Sequence, residues 1–123
     1  MRESKLIRKG AGEYERNIAG KKYKFLIKTE KLGGILVEME PGAYSETYEH
    51  EGEEIKIVIQ GELEYAVGEK VYRLKEGDVL WHQSDIPHRA KNIGDEKAIF
   101  FTVDTPPRLH KRKEADKTGK ATG

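Results

Sequence analysis

A chain of 123 residues is long enough for one core and too short for two ordinary domains. It has 37% charged residues, no cysteine and no apolar run long enough to cross a bilayer. That composition excludes disulfide and thiolate chemistry and points to a soluble, cytoplasmic protein. The start, Met1-Arg2-Glu3-Ser4-Lys5, leads into no apolar signal core. Abundant Lys and Glu without Cys is thermophile-like. From Arg108 to Gly123 six basic residues stand against two acids, a net of +4, which leaves the rest of the chain near −3. A body of that sign argues against direct nucleic-acid binding by the folded part.

Short apolar or alternating runs recur between turn residues. Tyr23 to Thr29 alternates after a turn at Ala19-Gly20-Lys21. Gly33-Gly34 precedes a run from Ile35 to Met39, and Pro41-Gly42 turns the chain. The β-branched run Ile55-Lys56-Ile57-Val58-Ile59 reads as a central strand. Gln60-Gly61 leads into Glu62 to Val67, where Leu63, Tyr65 and Val67 share a face. Gly68-Glu69-Lys70 closes a hairpin onto Val71 to Leu74. Glu76-Gly77-Asp78 turns into Val79 to His82, then His88 to Asn92 follows Pro87, and Ala98 to Val103 is the last strong strand. No segment keeps a helical period, so the pattern predicts an all-β sandwich or barrel without substantial helix. We place one domain at 1–107 and a basic, disordered tail at 108–123.

The residues that carry chemistry are Tyr48, His50 and Glu54, with His88 about thirty positions on. In a strand, residues two apart point the same way, so Tyr48 and His50 share a face. Glu54 joins them if the strand stays regular past Gly52. Two imidazoles and one carboxylate form a facial triad for a mononuclear transition metal, with positions left for a ligand. Tyr48 is then a fourth ligand or a hydroxyl that orients water or substrate. The spacing alone also admits backbone-satisfied histidines and a solvated acidic turn. His82 reads more readily as an outward or core-satisfied histidine than as a pocket member. Tyr44, Tyr65 and Tyr72 could line a cavity or serve as packing.

With the glycines included, the chain resembles a cupin. Gly42, Tyr48, His50, Glu54 and Gly61 occupy the places of the first cupin motif without a gap, Tyr48 standing where that motif has its first histidine. Gly77, His88 and Asn92 match the second motif, with Gln83 and Asp85 in place of its Pro and Gly. The likeness covers about Pro41 to Val103. It implies a double-stranded β-helix, or jelly-roll barrel, whose interior takes a divalent transition metal (Fe, Mn, Ni or Zn) and/or a small-molecule ligand. Tyr48-Glu49-His50-Glu51-Gly52-Glu53-Glu54, Ile86-Pro87-His88-Arg89 and Thr105-Pro106-Pro107 are similar to sensor cupins fused behind helix-turn-helix domains. No such DNA-binding pattern occurs in this chain. A mononuclear iron epoxidase of the same broader group uses the positions matching His50, Glu54 and His88, so three ligands can suffice. The resemblance thus leaves a sensor or accessory binding module beside a metal-dependent enzyme of dioxygenase, epoxidase or isomerase type. A metal-free structural β domain is the third alternative. It also implies a homodimer, with the segment to about Ile18 swapped or covering a sheet edge.

Overall fold

A computed structural model describes residues 3–107, so the tail expected at 108–123 lies outside the described residues. Nine strands and no helix form among them. No helix is therefore long and apolar enough to cross a membrane. In chain order the strands are β1 (Tyr14–Ile18), β2 (Lys21–Lys28), β3 (Gly33–Met39), β4 (Glu53–Gln60), β5 (Leu63–Val67), β6 (Lys70–Leu74), β7 (Val79–Gln83), β8 (His88–Asn92) and β9 (Ala98–Thr105). They make a six-stranded sheet in the order β1-β2-β3-β9-β4-β7 and a three-stranded sheet in the order β6-β5-β8. All the ladders are antiparallel. This is the expected all-β, jelly-roll architecture.

Several of the turns read from the sequence sit between strands, whereas Gly33-Gly34, read as a break before Ile35, opens β3 itself. Ala19-Gly20 joins β1 to β2 in two residues, Ile18 pairing with Lys21. Gly68-Glu69 joins β5 to β6, Val67 pairing with Lys70. The strand β1 does not stand out by hydropathy, because four of its five residues are exposed. It covers the edge of its own sheet beside β2.

The core lies between the sheets. The large sheet contributes Phe25, Ile35, Val37, Met39, Val58 and Phe100, and the small sheet Leu63, Tyr65, Leu74 and Ala90. Burying such side chains stabilises by about 1.5–3 kcal/mol each. Asn92 ties the turn after β8 to this core. Its Nδ2 donates to the carbonyls of Met39 and Glu96, both at 2.9 Å, and its Oδ1 accepts from Gly94 N at 2.8 Å.

Strand β4, read from the sequence as central, lies between β9 and the edge strand β7 and turns its isoleucines outward. Ile55, Ile57 and Ile59 point outward, 40–47% exposed, while Glu54, Lys56 and Val58 point into the barrel. On β7, paired beside it, Val79 and Trp81 are also exposed and His82 is buried. The interior near one end of the barrel is therefore polar. It holds Glu54, Lys56, His82, Ser84, His88, Thr102 and Asp104, all buried.

Candidate metal centre

Two pieces of chain converge by backbone pairing. Tyr48 and His88 form an isolated antiparallel bridge, Tyr48 N donating to His88 O at 2.8 Å and His88 N to Tyr48 O at 3.0 Å. Two residues on, His50 N donates to Ser84 O at 2.9 Å, and Ser84 N donates to Gly52 O at 2.7 Å. This stitching seats the loop from Tyr48 to Gly52 against β7 and β8. Glu54 follows on β4, opposite His82 on one side and Asp104 on the other.

The result brings His50, Glu54 and His88 together as expected, with one donor atom of each within 4.8 Å of the others. The Glu54 and His88 side chains are fully buried and that of His50 nearly so. Each histidine is oriented through its far nitrogen. His50 Nδ1 contacts Glu51 O at 3.2 Å and His88 Nδ1 contacts Ile86 O at 2.7 Å. A ring that donates through Nδ1 turns the lone pair of Nε2 inward. Both Nε2 atoms lie 3.2 Å from Glu54 Oε2, and both are buried without a hydrogen-bond partner. With both rings donating through Nδ1, three lone-pair donors face one another. Buried polar atoms are ordinarily satisfied, and this set could hold a metal ion.

Glu54 is held from several sides. Ser84 Oγ donates to Oε2 at 2.8 Å, and Lys56 Nζ donates to Oε1 at 2.7 Å. Lys56 also bonds the Tyr65 hydroxyl and lies 3.3 Å from His82 Nε2, with its nitrogen 4.2 Å from the centre of the Tyr65 ring. His82 thus points inward, not outward, and joins the pocket while its ring is satisfied as in a core histidine. Its Nδ1 donates to Gln83 O at 2.8 Å. Burial first, and the charge of Lys56 second, push its pKa down to about 4, against the opposing pull of the Gln83 carbonyl and Glu54. It is a neutral acceptor for Lys56 near neutral pH.

Tyr48 sits beside His88, ring centres 6.3 Å apart, with its hydroxyl 3.5 Å from that of Tyr23. Of the other tyrosines considered, Tyr65 is buried in the pocket, whereas Tyr44 and Tyr72 are exposed. Sequence reasoning missed Lys56, Ser84 and Asp104. Two of them carried a signal: Lys56 is two residues from Glu54 on the same strand, and Asp104 shares the inward phase of Phe100 and Thr102 on β9. Ser84 had none, because it lies past the end of β7.

A two-sheet antiparallel barrel with two histidines and a glutamate gathered at one end defines the class: a β-barrel protein with a cluster that could hold a metal ion. The family model described as Cupin domain matches residues 35–104, and the chain belongs to the cupin family. A curated protein of Archaeoglobus fulgidus, described only as uncharacterized, is 47% identical over 51 residues, 42% of this chain and 48% of that one. That match therefore spans about half of the relative's length. Among solved structures, an RmlC-like cupin from Shewanella frigidimarina superposes with a TM-score of 0.75 at 21% identity, covering 89% of this chain and 98% of that one. The cupin domain of an XRE-family transcriptional regulator from Enterobacter cloacae gives 0.67 at 28% identity, covering 72% and 99%.

Proposed function

We propose that this cupin is a small-molecule-binding module, a sensor or accessory domain, whose pocket is organised by a divalent transition metal. His50 Nε2, His88 Nε2 and Glu54 Oε2 are the residues that would hold it, and Fe, Mn, Ni and Zn all suit two imidazoles and a carboxylate. The observation that carries the reading is the pair of buried, unpartnered Nε2 atoms aimed at one carboxylate oxygen. When bound, such an ion supplies a Lewis acid with open positions for a small polar or anionic ligand. Tyr48 stands at the pocket as a further ligand or as a hydroxyl that orients the bound molecule. The likeness to the cupin domain of a transcriptional regulator supports a sensing role.

A second reading is a mononuclear non-haem metal-dependent enzyme of dioxygenase, epoxidase or isomerase type. It is favoured by the three-donor set, which leaves room at a metal for substrate, and by the paired Tyr23 and Tyr48 hydroxyls beside it. The test is metal content by mass spectrometry in protein purified without a histidine tag, repeated for His50→Ala and His88→Ala. Stoichiometric metal lost from both variants supports the site. Wild-type protein that stays metal-free after incubation with Fe(II), Mn(II), Ni(II) and Zn(II) rules it out. Oxygen uptake or turnover with candidate substrates separates enzyme from sensor.

We further propose that two copies pair through the outer face of β4 and β7. There Ile55 lies opposite Trp81 and Ile57 opposite Val79, all exposed. A contiguous apolar face of this kind marks an interaction surface. Light scattering should give a dimer for the wild type and a monomer for Ile57→Lys with Trp81→Glu. A wild-type monomer refutes the pairing.

A further inference from the structure

Lys56 Nζ lies in direct contact with the carboxylate of the candidate metal centre, 2.7 Å from Glu54 Oε1. It is buried, 2% exposed, on a strand whose neighbouring isoleucines face solvent. The partners of Glu54 divide between its two oxygens. Oε2 faces His50, His88 and Ser84. Oε1 takes Lys56, with His82 Nε2 at 3.8 Å. Lys56 is itself fixed by three groups, Glu54 Oε1, the Tyr65 hydroxyl and neutral His82. Three acceptors match the three donors of an ammonium group.

Resting on the reading of His50, Glu54 and His88 as a cation site, we propose that Lys56 is a built-in counter-ion and positioning residue for it. It has two effects. The first is geometric: with Oε1 committed to Lys56, Glu54 offers a metal one oxygen rather than a chelating pair. The second is electrostatic. A buried carboxylate needs a compensating charge, and Lys56 supplies it when no metal is present. The same charge opposes an incoming divalent ion. Loss of an ordinary outer partner weakens metal binding 10–100-fold. Lys56 differs because it carries a charge of the metal's own sign, and like charges a few ångströms apart in a protein interior repel by more than that positioning effect is worth. Removing it therefore tightens binding. The pocket is tuned for weak, exchangeable metal, or for metal that enters together with an anionic ligand.

The experiment titrates cobalt(II) into full-length wild type, Lys56→Met, Lys56→Gln and Ser84→Ala. Calorimetry gives the affinity, visible absorption reports the coordination, and Tm is measured with and without cobalt. Lys56→Met should bind at least about tenfold tighter than wild type. Its cobalt spectrum should change, because Glu54 is free to use both oxygens. Its Tm should rise more on adding metal, since the metal then becomes the counter-charge. Lys56→Gln keeps a donor for Oε1 without the charge, so it should bind tighter with a spectrum closer to wild type; it also serves if Lys56→Met does not fold. Ser84→Ala removes a neutral donor from Oε2 and should weaken binding. If wild type binds cobalt and neither Lys56 variant binds it more tightly, the counter-ion proposal is overturned and the metal reading stands. If only the Lys56 variants bind, the proposal stands and the metal reading of the wild type fails. If none binds, both fail.

Discussion

Gly52 separates two members of the site, and replacing it with alanine tests whether the loop geometry is what brings them together. Its φ is +104°, a conformation that L residues rarely adopt. A Cβ there would lie 2.6 Å from Pro106 Cδ and 2.9 Å from the Thr105 carbonyl carbon, and closer still to the Thr105 oxygen. Backbone cannot step aside as a side chain can. Gly77 is the internal control: φ is +91°, but nothing lies within 4 Å of its added Cβ. Gly77→Ala should cost only the backbone term, about 1–2 kcal/mol. Gly52→Ala adds overpacking of about 1–3 kcal/mol, for a total of roughly 2–5 kcal/mol. At about 4 °C per kcal/mol for a domain of this size, Tm should fall by some 4–8 °C in the first variant and by about 8–20 °C in the second. Differential scanning calorimetry on both proteins, with chelator present, makes the comparison. Because Gly52 O accepts from Ser84 N and His50 N donates to Ser84 O, Gly52→Ala should also lower metal uptake. Equal losses of stability, within about 1 kcal/mol, would refute the argument.

Two further outcomes follow from groups away from the metal donors themselves. His82 has a folded pKa of about 4 and an unfolded one near 6.5, so the unfolded chain takes up the proton first as pH falls. Its contribution is complete above pH 6.5 and is lost between about 6.5 and 4, at most about 3 kcal/mol. Urea unfolding across that window should show a steeper fall in wild type than in His82→Gln, and equal slopes would count against the burial of a neutral His82. Asn92→Ala removes three hydrogen bonds at a site 1% exposed and should cost about 3 kcal/mol at roughly 1 kcal/mol each. A loss under about 1 kcal/mol by thermal or urea unfolding would show that water replaces the amide.

Much of this was legible in the chain because the relevant signals are local. Gly68-Glu69 and Ala19-Gly20 mark hairpins by composition, and alternation in Leu63-Glu64-Tyr65 gives both a strand and its inward face. His50, Glu54 and His88 could be selected because their spacing to Gly42, Gly61 and Gly77 is a fixed pattern. What hydropathy could not supply was the facing of β4. Alternation establishes that Ile55, Ile57 and Ile59 share a side, but not that this side is the outer one. The partners of Glu54 were hidden for another reason. His82 reaches it only through cross-strand register, and Ser84 through the His50–Gly52 stitching, and neither relation is written in any single segment.

The reversed facing of β4 also bears on how the chain finds its native pairing. A shift of this strand by one residue would turn Ile55 and Ile57 inward and Glu54 and Lys56 out to water. By apolar burial alone that slipped arrangement is the better one. What opposes it is the specific set of cross-strand bonds that only the native register closes: Lys56 to the Tyr65 hydroxyl, Ser84 to Glu54, and Trp81 Nε1 to Glu53 at 2.7 Å. The pocket's polar groups thus serve during folding as an alignment key, and a variant that empties the pocket of charge invites the strand to misalign.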